Sequence, residues 1–289
     1  MTAVAPSFDD AVQELRNQRS SMDVNPYRTV ELARLVLKRG GRLGDEVWAV
    51  LEQSAMALLD LGMIEEAQKD IDVLDRKFAG STRVQKLTAM VHEAKGEFDH
   101  AMALYNQLLE QRPADTTLMK RKIAVLKSQR RTQDAIAALN LLLDTLPSDA
   151  EAWLELADLY AGAHMLQPAA HAVEEALLLL PTNHFVHATY ADLLYALGRR
   201  DLALKAYCRA VELVPGYVAG LYGVVKCARE VAKDAPATPD APPRESYEKL
   251  AKVAEKALLQ AYDQRAVVAG REDSAAVRAA RAWLTGSEM

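Results

Sequence analysis

Alanine returns every 34 residues through most of this chain, at Ala33, Ala67, Ala101, Ala135, Ala169 and Ala203. Proline keeps the same beat at Pro113, Pro147, Pro181 and Pro215, in each case 12 residues after an alanine, and Gly62, Gly96 and Gly198 stand five residues before one. Such a recurrence does not describe one closed core. It describes a small unit stacked on copies of itself, each covering its neighbour's apolar face.

The residue types say what the unit is. Glycine can take the left-handed backbone that ends a helix, alanine fits where two helices cross closely, and proline, lacking an N–H, helps to stop a helix. Residues 150–183 carry the whole pattern: Trp153, Leu156, Ala157 and Tyr160, then Ala169, Val173, Ala176 and Pro181. A period of 34 with these residues is the signature of tetratricopeptide repeats. The predicted fold is all-α, a right-handed solenoid of antiparallel helix pairs. Residues 1–47 are expected to form an N-terminal helical cap with a degenerate repeat, with a second helix running from Pro26 to Gly40 and Gly41. Five repeats follow over 48–217, as 48–81, 82–115, 116–149, 150–183 and 184–217. Residues 218–289 are read as a sixth helix pair (218–231 and 244–264) interrupted by a Pro-rich loop at 233–243, plus a C-terminal capping helix at 274–284 with Trp283.

A net charge of −5 and a pI near 5.8 argue against a nucleic-acid partner. The two cysteines, Cys208 and Cys227, read as buried free thiols of a reducing compartment rather than a disulfide framework. Asp9, Asp10, Glu14 and Arg16 occupy the place where a signal peptide needs an apolar stretch. No apolar run approaches the roughly 20 residues that span a bilayer, so no transmembrane helix is expected.

Catalytic signatures are missing: there is no Walker loop, Gly-x-Ser-x-Gly, Cys-x-x-Cys or His-Glu-x-x-His. Gly216, Gly220 and Gly223 are wrongly spaced for a nucleotide loop and follow no strand. His184 and His187 lie one helical turn apart without an evident third ligand. The chain is therefore read as a non-enzyme with no metal and no cofactor.

What remains is a binding surface. In stacked helix pairs of this type the first helices line the inner face through positions 2, 5, 9 and 12, with Glu52, Met56 and Leu59 at its early end. The next two repeats place Arg83, Lys86, Met90, Lys120 and Lys127 there, with Glu93 the one carboxylate; Arg121 and Lys122 extend the basic run, which suits an acidic protein contact better than a lipid surface. The two after that place Glu151, Leu154, Asp158, Phe185, Asp192 and Tyr195. A groove basic in one half and acidic in the other would read a partner segment of opposite charges in one direction.

A competing function is a co-chaperone adaptor that grips a peptide tail by its terminal carboxylate. Such adaptors share a clamp of Lys at position 5 and Asn at 9, Asn at 6 of the next repeat, then Lys at 2 and Arg at 6. Here Lys86 is followed by Met90, Arg121, Glu151 and Glu155. Two carboxylates stand where the clamp needs cations, which disfavours that reading.

Some residues go beyond the generic repeat. Residues 42–48, reading Arg42, Leu43, Gly44, Asp45, Glu46, Val47, Trp48, are followed by Glu52 and Gln53, then by Phe78, Ala79, Gly80 and Ser81 with Arg83, Val84, Leu87 and Thr88. Further on come the run Lys120 to Ala124, then Glu151, Ala152 and Trp153 with Glu155, Leu156 and Ala157, and finally Asn183 with His184. In these the chain resembles the family of subunit 2 of the endoplasmic reticulum membrane protein complex, over about 42–230, while the Pro-rich insert and the tail depart from it. The resemblance implies a non-catalytic cytosolic scaffold, peripheral on the cytoplasmic face of the endoplasmic reticulum. It implies a hetero-oligomer with membrane-embedded and soluble subunits, which supports insertion of tail-anchored and multipass membrane proteins.

Overall fold

A computed structural model describes residues 6–21, 25–38, 43–234, 243–268 and 275–285. The predicted helix end at Gly40 and Gly41 and most of the predicted loop 233–243 lie outside them. The described chain is all-helical and divides into two compact units, Met1–Thr145 and Leu146–Met289.

Unit 1 contains α1 (Phe8–Ser20), α2 (Pro26–Leu37), α3 (Glu46–Asp60), α4 (Ile64–Lys77), α5 (Thr82–Lys95), α6 (Phe98–Gln111), α7 (Thr116–Ser128) and α8 (Thr132–Thr145). Unit 2 contains α9 (Ala150–Gly162), α10 (Leu166–Leu179), α11 (His184–Ala196), α12 (Arg200–Leu213), α13 (Val218–Asp234), α14 (Arg244–Val268) and α15 (Ala275–Thr285). Within each unit every helix packs on the next in the chain, and α3 also meets α5 as α11 meets α13. The tail helices outrun the sequence reading: α13 extends to Asp234 and α14 to Val268.

The 34-residue beat has a direct physical content. All six periodic alanines are 0% exposed, as expected of sites where two helices cross closely. The turns inside the pairs share one geometry. Residues 62, 96, 130, 164 and 198, which are 34 apart, all have left-handed backbone, with φ of 73°, 77°, 57°, 59° and 78°. Glycine fills three of them without steric cost; Arg130 and His164 accept a strain of about 1–2 kcal/mol each. After each turn an N–H reaches back to the carbonyl five residues earlier, as Glu97 does to His92 at 2.8 Å and Arg199 to Leu194 at 2.9 Å.

The opposite ends of the pairs are set by caps. Asp115, Asp149 and Asn183, each two residues after a periodic proline, accept hydrogen bonds from the first N–H groups of α7, α9 and α11 at 3.0–3.2 Å. Ser7 and Asn25 do the same for α1 and α2, the latter with Pro26 in the first turn.

In unit 2 two glycines of α13 are explained by their neighbours. A Cβ on Gly223 would stand 2.4 Å from the Tyr207 ring, and one on Gly220 would stand 2.7 Å from that of Tyr217. They are contact points in the packing around α13, not a phosphate cradle. Leu156 and Val173 are buried, whereas Trp153 and Tyr160 are half-buried, the Trp153 indole donating to the Pro147 carbonyl at 2.9 Å. Cys227 is buried and Cys208 half-buried, both as free thiols; burial raises both above their ordinary value, Cys227 to about 12. Such thiols have little thiolate character.

Candidate partner-binding surface

In unit 1 the first helices of the pairs, α3, α5 and α7, stand in sequence with α1 beside α3. At each step an arginine on one of these helices pairs with a carboxylate on a neighbouring one, forward from α1 to α3 and backward from α5 and α7. Arg16 and Arg19 hold Glu46 at 2.5 and 2.6 Å, Arg83 pairs with Glu52, and Arg121 meets Glu93 at 3.4 Å. Glu46 is pulled below the usual carboxylate range, first by its hydrogen bond from Arg16. Two cavities lie along this ladder. One of about 470 Å³ is lined by Gln53, Met56, Asp60 and Arg83, and one of about 230 Å³ by Leu59, Met90, Glu93, Arg121 and Ser128.

The predicted basic surface is therefore only partly basic. Arg83 and Arg121 are neutralised by carboxylates, and Met90 is buried, forming cavity wall rather than an exposed contact. Lys86 is half-buried without an ion pair among the described residues, and Lys120 and Lys127 are exposed. Lys122 departs from the others. It lines a separate groove of about 640 Å³ between α6, α7 and α8, beside Met102 and the 59% exposed Leu141. The reason is geometric: residues on a helix turn by about 100° each, so three consecutive cations cannot share a face.

Glu93 is the electrostatic centre of the smaller cavity. Burial pushes its carboxyl above the usual range, while Tyr105 and Arg121 pull the other way. Its Oε1 and the Tyr105 hydroxyl are both buried near each other, yet neither completes a hydrogen bond of normal geometry. A carboxyl raised in the folded state binds protons more tightly there than in the unfolded chain. Its contribution to stability is thus present at low pH and lost as pH rises through the raised value. Glu93→Gln should remove that pH dependence and leave the protein at least as stable at neutral pH, measured by urea unfolding across the acid-to-neutral range. A less stable variant at neutral pH would mean that the Arg121 pair outweighs burial.

In unit 2, Glu151 and Asp158 are exposed on α9, with Leu154 half-buried between them. On α11, Asp192 is exposed and accepts the Tyr207 hydroxyl. Tyr195 donates to Glu230 at 2.8 Å and lies under the Lys226 ammonium, 4.0 Å from its ring. Phe185 is 59% exposed and packs at a tilt against His184 and edge-on against Tyr217, with centroids 4.0 and 5.5 Å away. His187 donates to or accepts nothing from His184; its Nε2 sits 3.0 Å from the Pro181 carbonyl. Sequence reading did not reach these partners, because Glu230, Lys226 and Tyr207 lie on neighbouring helices and only the packing brings them in.

Residues 77–199 match the family described as the EMC2 TPR-like repeat domain. Over 242 residues the chain is 32% identical to ER membrane protein complex subunit 2-A of Xenopus laevis, covering 81% of this chain and 82% of that one. The chain belongs to the ER membrane protein complex subunit 2 family. Another similar protein is the TPR repeat protein oca3 of Schizosaccharomyces pombe, 34% identical over 216 residues, 72% of this chain and 77% of the other. Among solved structures, the C-terminal part of a TPR repeat-containing protein from Cytophaga hutchinsonii superposes with a TM-score of 0.61 over 88% of this chain and 95% of that one. At 15% identity that likeness concerns the fold alone. The subunit 2 family membership agrees with the resemblance carried by residues 42–184, and the helix pairs with the tetratricopeptide reading.

Proposed function

We propose that this chain serves as subunit 2 of an ER membrane protein complex. It acts as a non-catalytic scaffold whose first-helix faces hold cytosolic segments of membrane-embedded and soluble subunits. Through them it supports insertion of tail-anchored and multipass membrane proteins. The observation that carries this reading is the 32% identity spread over four fifths of both chains, rather than over one repeat. No described helix is long and apolar enough to cross a membrane. In this reading the chain is peripheral on the cytoplasmic face and attaches through its partners. Within each unit the first helices of the helix pairs supply the binding face.

The deciding experiment is purification of the tagged chain from membranes solubilised in mild detergent. A stoichiometric set of membrane subunits is expected; recovery of soluble chaperones alone would overturn the proposal. Reversing Lys86 and Lys120 to Glu should weaken capture of an acidic partner segment by roughly tenfold, the factor that corresponds to about 1.4 kcal/mol. Unchanged recovery would remove the unit 1 face from the reading while leaving the scaffold role standing.

A further inference from the structure

The hairpin α5–α6 carries a cluster of ligating side chains that are not among the residues proposed for partner binding. His92, Glu97 and His100 each offer one ligand atom, and these atoms lie within 4.8 Å of one another. His92 Nδ1 and Glu97 Oε2 are already 2.6 Å apart, and the two imidazole centroids are separated by 5.5 Å. His92 is half-buried, while Glu97 and His100 are exposed.

The backbone holds these residues in place before any ion arrives. Gly96 turns left-handed at φ 77°, and its N–H donates to the Glu93 carbonyl at 2.9 Å. Glu97 N–H donates to the His92 carbonyl at 2.8 Å, and Ala101 N–H to the Glu97 carbonyl at 3.1 Å. The closing turn sets Glu97 beside His92, and the first turn of α6 brings His100 to the same side. Four other turns of the chain share this geometry and act as an internal comparison. Leu58, Leu126, Tyr160 and Leu194 stand where His92 does, so none of them has even the first ligand. In the α7–α8 turn the places of Glu97 and His100 are taken by Arg131 and Asp134, an ion pair at 2.8 Å.

Two imidazole nitrogens with one carboxylate oxygen suit a late first-row divalent cation such as Zn²⁺, whereas Mg²⁺ and Ca²⁺ want oxygen alone. With metal–ligand bonds of about 2.0–2.2 Å, closing the cluster needs only side-chain rotation. We propose that His92, Glu97 and His100 form a zinc-class cation site at the tip of α5–α6. Three protein ligands leave a fourth tetrahedral position for water. The bound ion replaces the single His92–Glu97 contact with bonds that tie the end of α5 to the start of α6.

The test uses the full chain, stripped with chelator, dialysed, and titrated with Co²⁺ while its visible absorption is followed. One equivalent should bind with d–d bands of the intensity of a four- or five-coordinate ion, and Zn²⁺ should displace it. His92→Ala and His100→Ala should each weaken binding by at least about 100-fold, since even indirect partners of a metal ligand are worth 10–100-fold. His100 is exposed, so H100A keeps the test valid if H92A perturbs folding. Zn²⁺ should also raise the thermal midpoint of the parent and leave that of H100A unmoved. His184→Ala with His187→Ala should change nothing. Saturation only at millimolar Co²⁺, an adventitious ion only, would overturn the site, as would tight binding that survives the H92A/H100A double substitution.

Discussion

Truncating Tyr105 to alanine should destabilise the protein by about 3–5 kcal/mol, the usual cost of removing a buried aromatic ring. Tyr105 is 0% exposed and sits in the cluster of Ala89, Ala101, Leu108, Leu118 and Val125, which joins α5, α6 and α7. Its loss would empty a volume that three helices share, a large part of the about 5–15 kcal/mol typical of a folded domain. Tyr105→Phe separates the ring from the hydroxyl. That hydroxyl is buried without a completed hydrogen bond, so its removal should leave stability close to the parent's. Denaturant unfolding of both variants checks the pair of expectations. A phenylalanine variant weaker by more than about 1.5 kcal/mol would reveal a real bond to Glu93, and a mild alanine variant would place the ring outside the core.

The second large effect belongs to unit 2. Gly223→Ala should cost about 1–3 kcal/mol through overpacking, because the new methyl would stand 2.4 Å from the Tyr207 ring atoms. Neither side can yield easily: Tyr207 is buried and anchored through its hydroxyl on Asp192, and Gly223 lies within α13. For a protein of this size the thermal midpoint should fall by about 2–4 °C per kcal/mol. The cause can be isolated by a double-mutant cycle. In a Tyr207→Ala background the ring is gone, and Gly223→Ala should lose most of its penalty, a coupling within the about 0.5–3 kcal/mol seen for contacting residues. An additive result would mean that the glycine is required for some reason other than this ring.

The parts of the fold that were legible in the sequence are those that one residue can report alone. An alanine every 34 residues marks a helix crossing because no larger side chain fits, and all six are fully buried. Gly62, Gly96 and Gly198 mark left-handed turns because glycine adopts them freely. Arg130 and His164 occupy the same turns without announcing it; only the register gives them away. The division into two units after Thr145 has no sequence signal, since the proline beat continues unchanged at Pro147. For the surface, position numbers placed Arg83, Arg121, Asp158 and Asp192 on first helices, but not their partners. Whether an arginine faces solvent or Glu52 depends on a helix 31 residues away. Lys122 departs from the expected surface for a simpler reason, since neighbours in sequence on a helix do not share a face. His92, Glu97 and His100 were overlooked because their spacing crosses a turn, and no single helical period connects them.

The arginine–carboxylate ladder along α1, α3, α5 and α7 determines how this face can bind anything acidic. An incoming carboxylate that takes hold of Arg83 or Arg121 must first displace Glu52 or Glu93, so the event is an exchange of one anion for another. Exchange releases few counterions and changes little net charge, and its dependence on salt is correspondingly shallow. For a segment docked as proposed, affinity would come from what fills the cavities beside the ladder, against Met56, Leu59 and Met90, while the arginines would settle only where it sits. A docking surface organised in this way would resist stray acidic chains and yield to one that brings the right apolar residues with it.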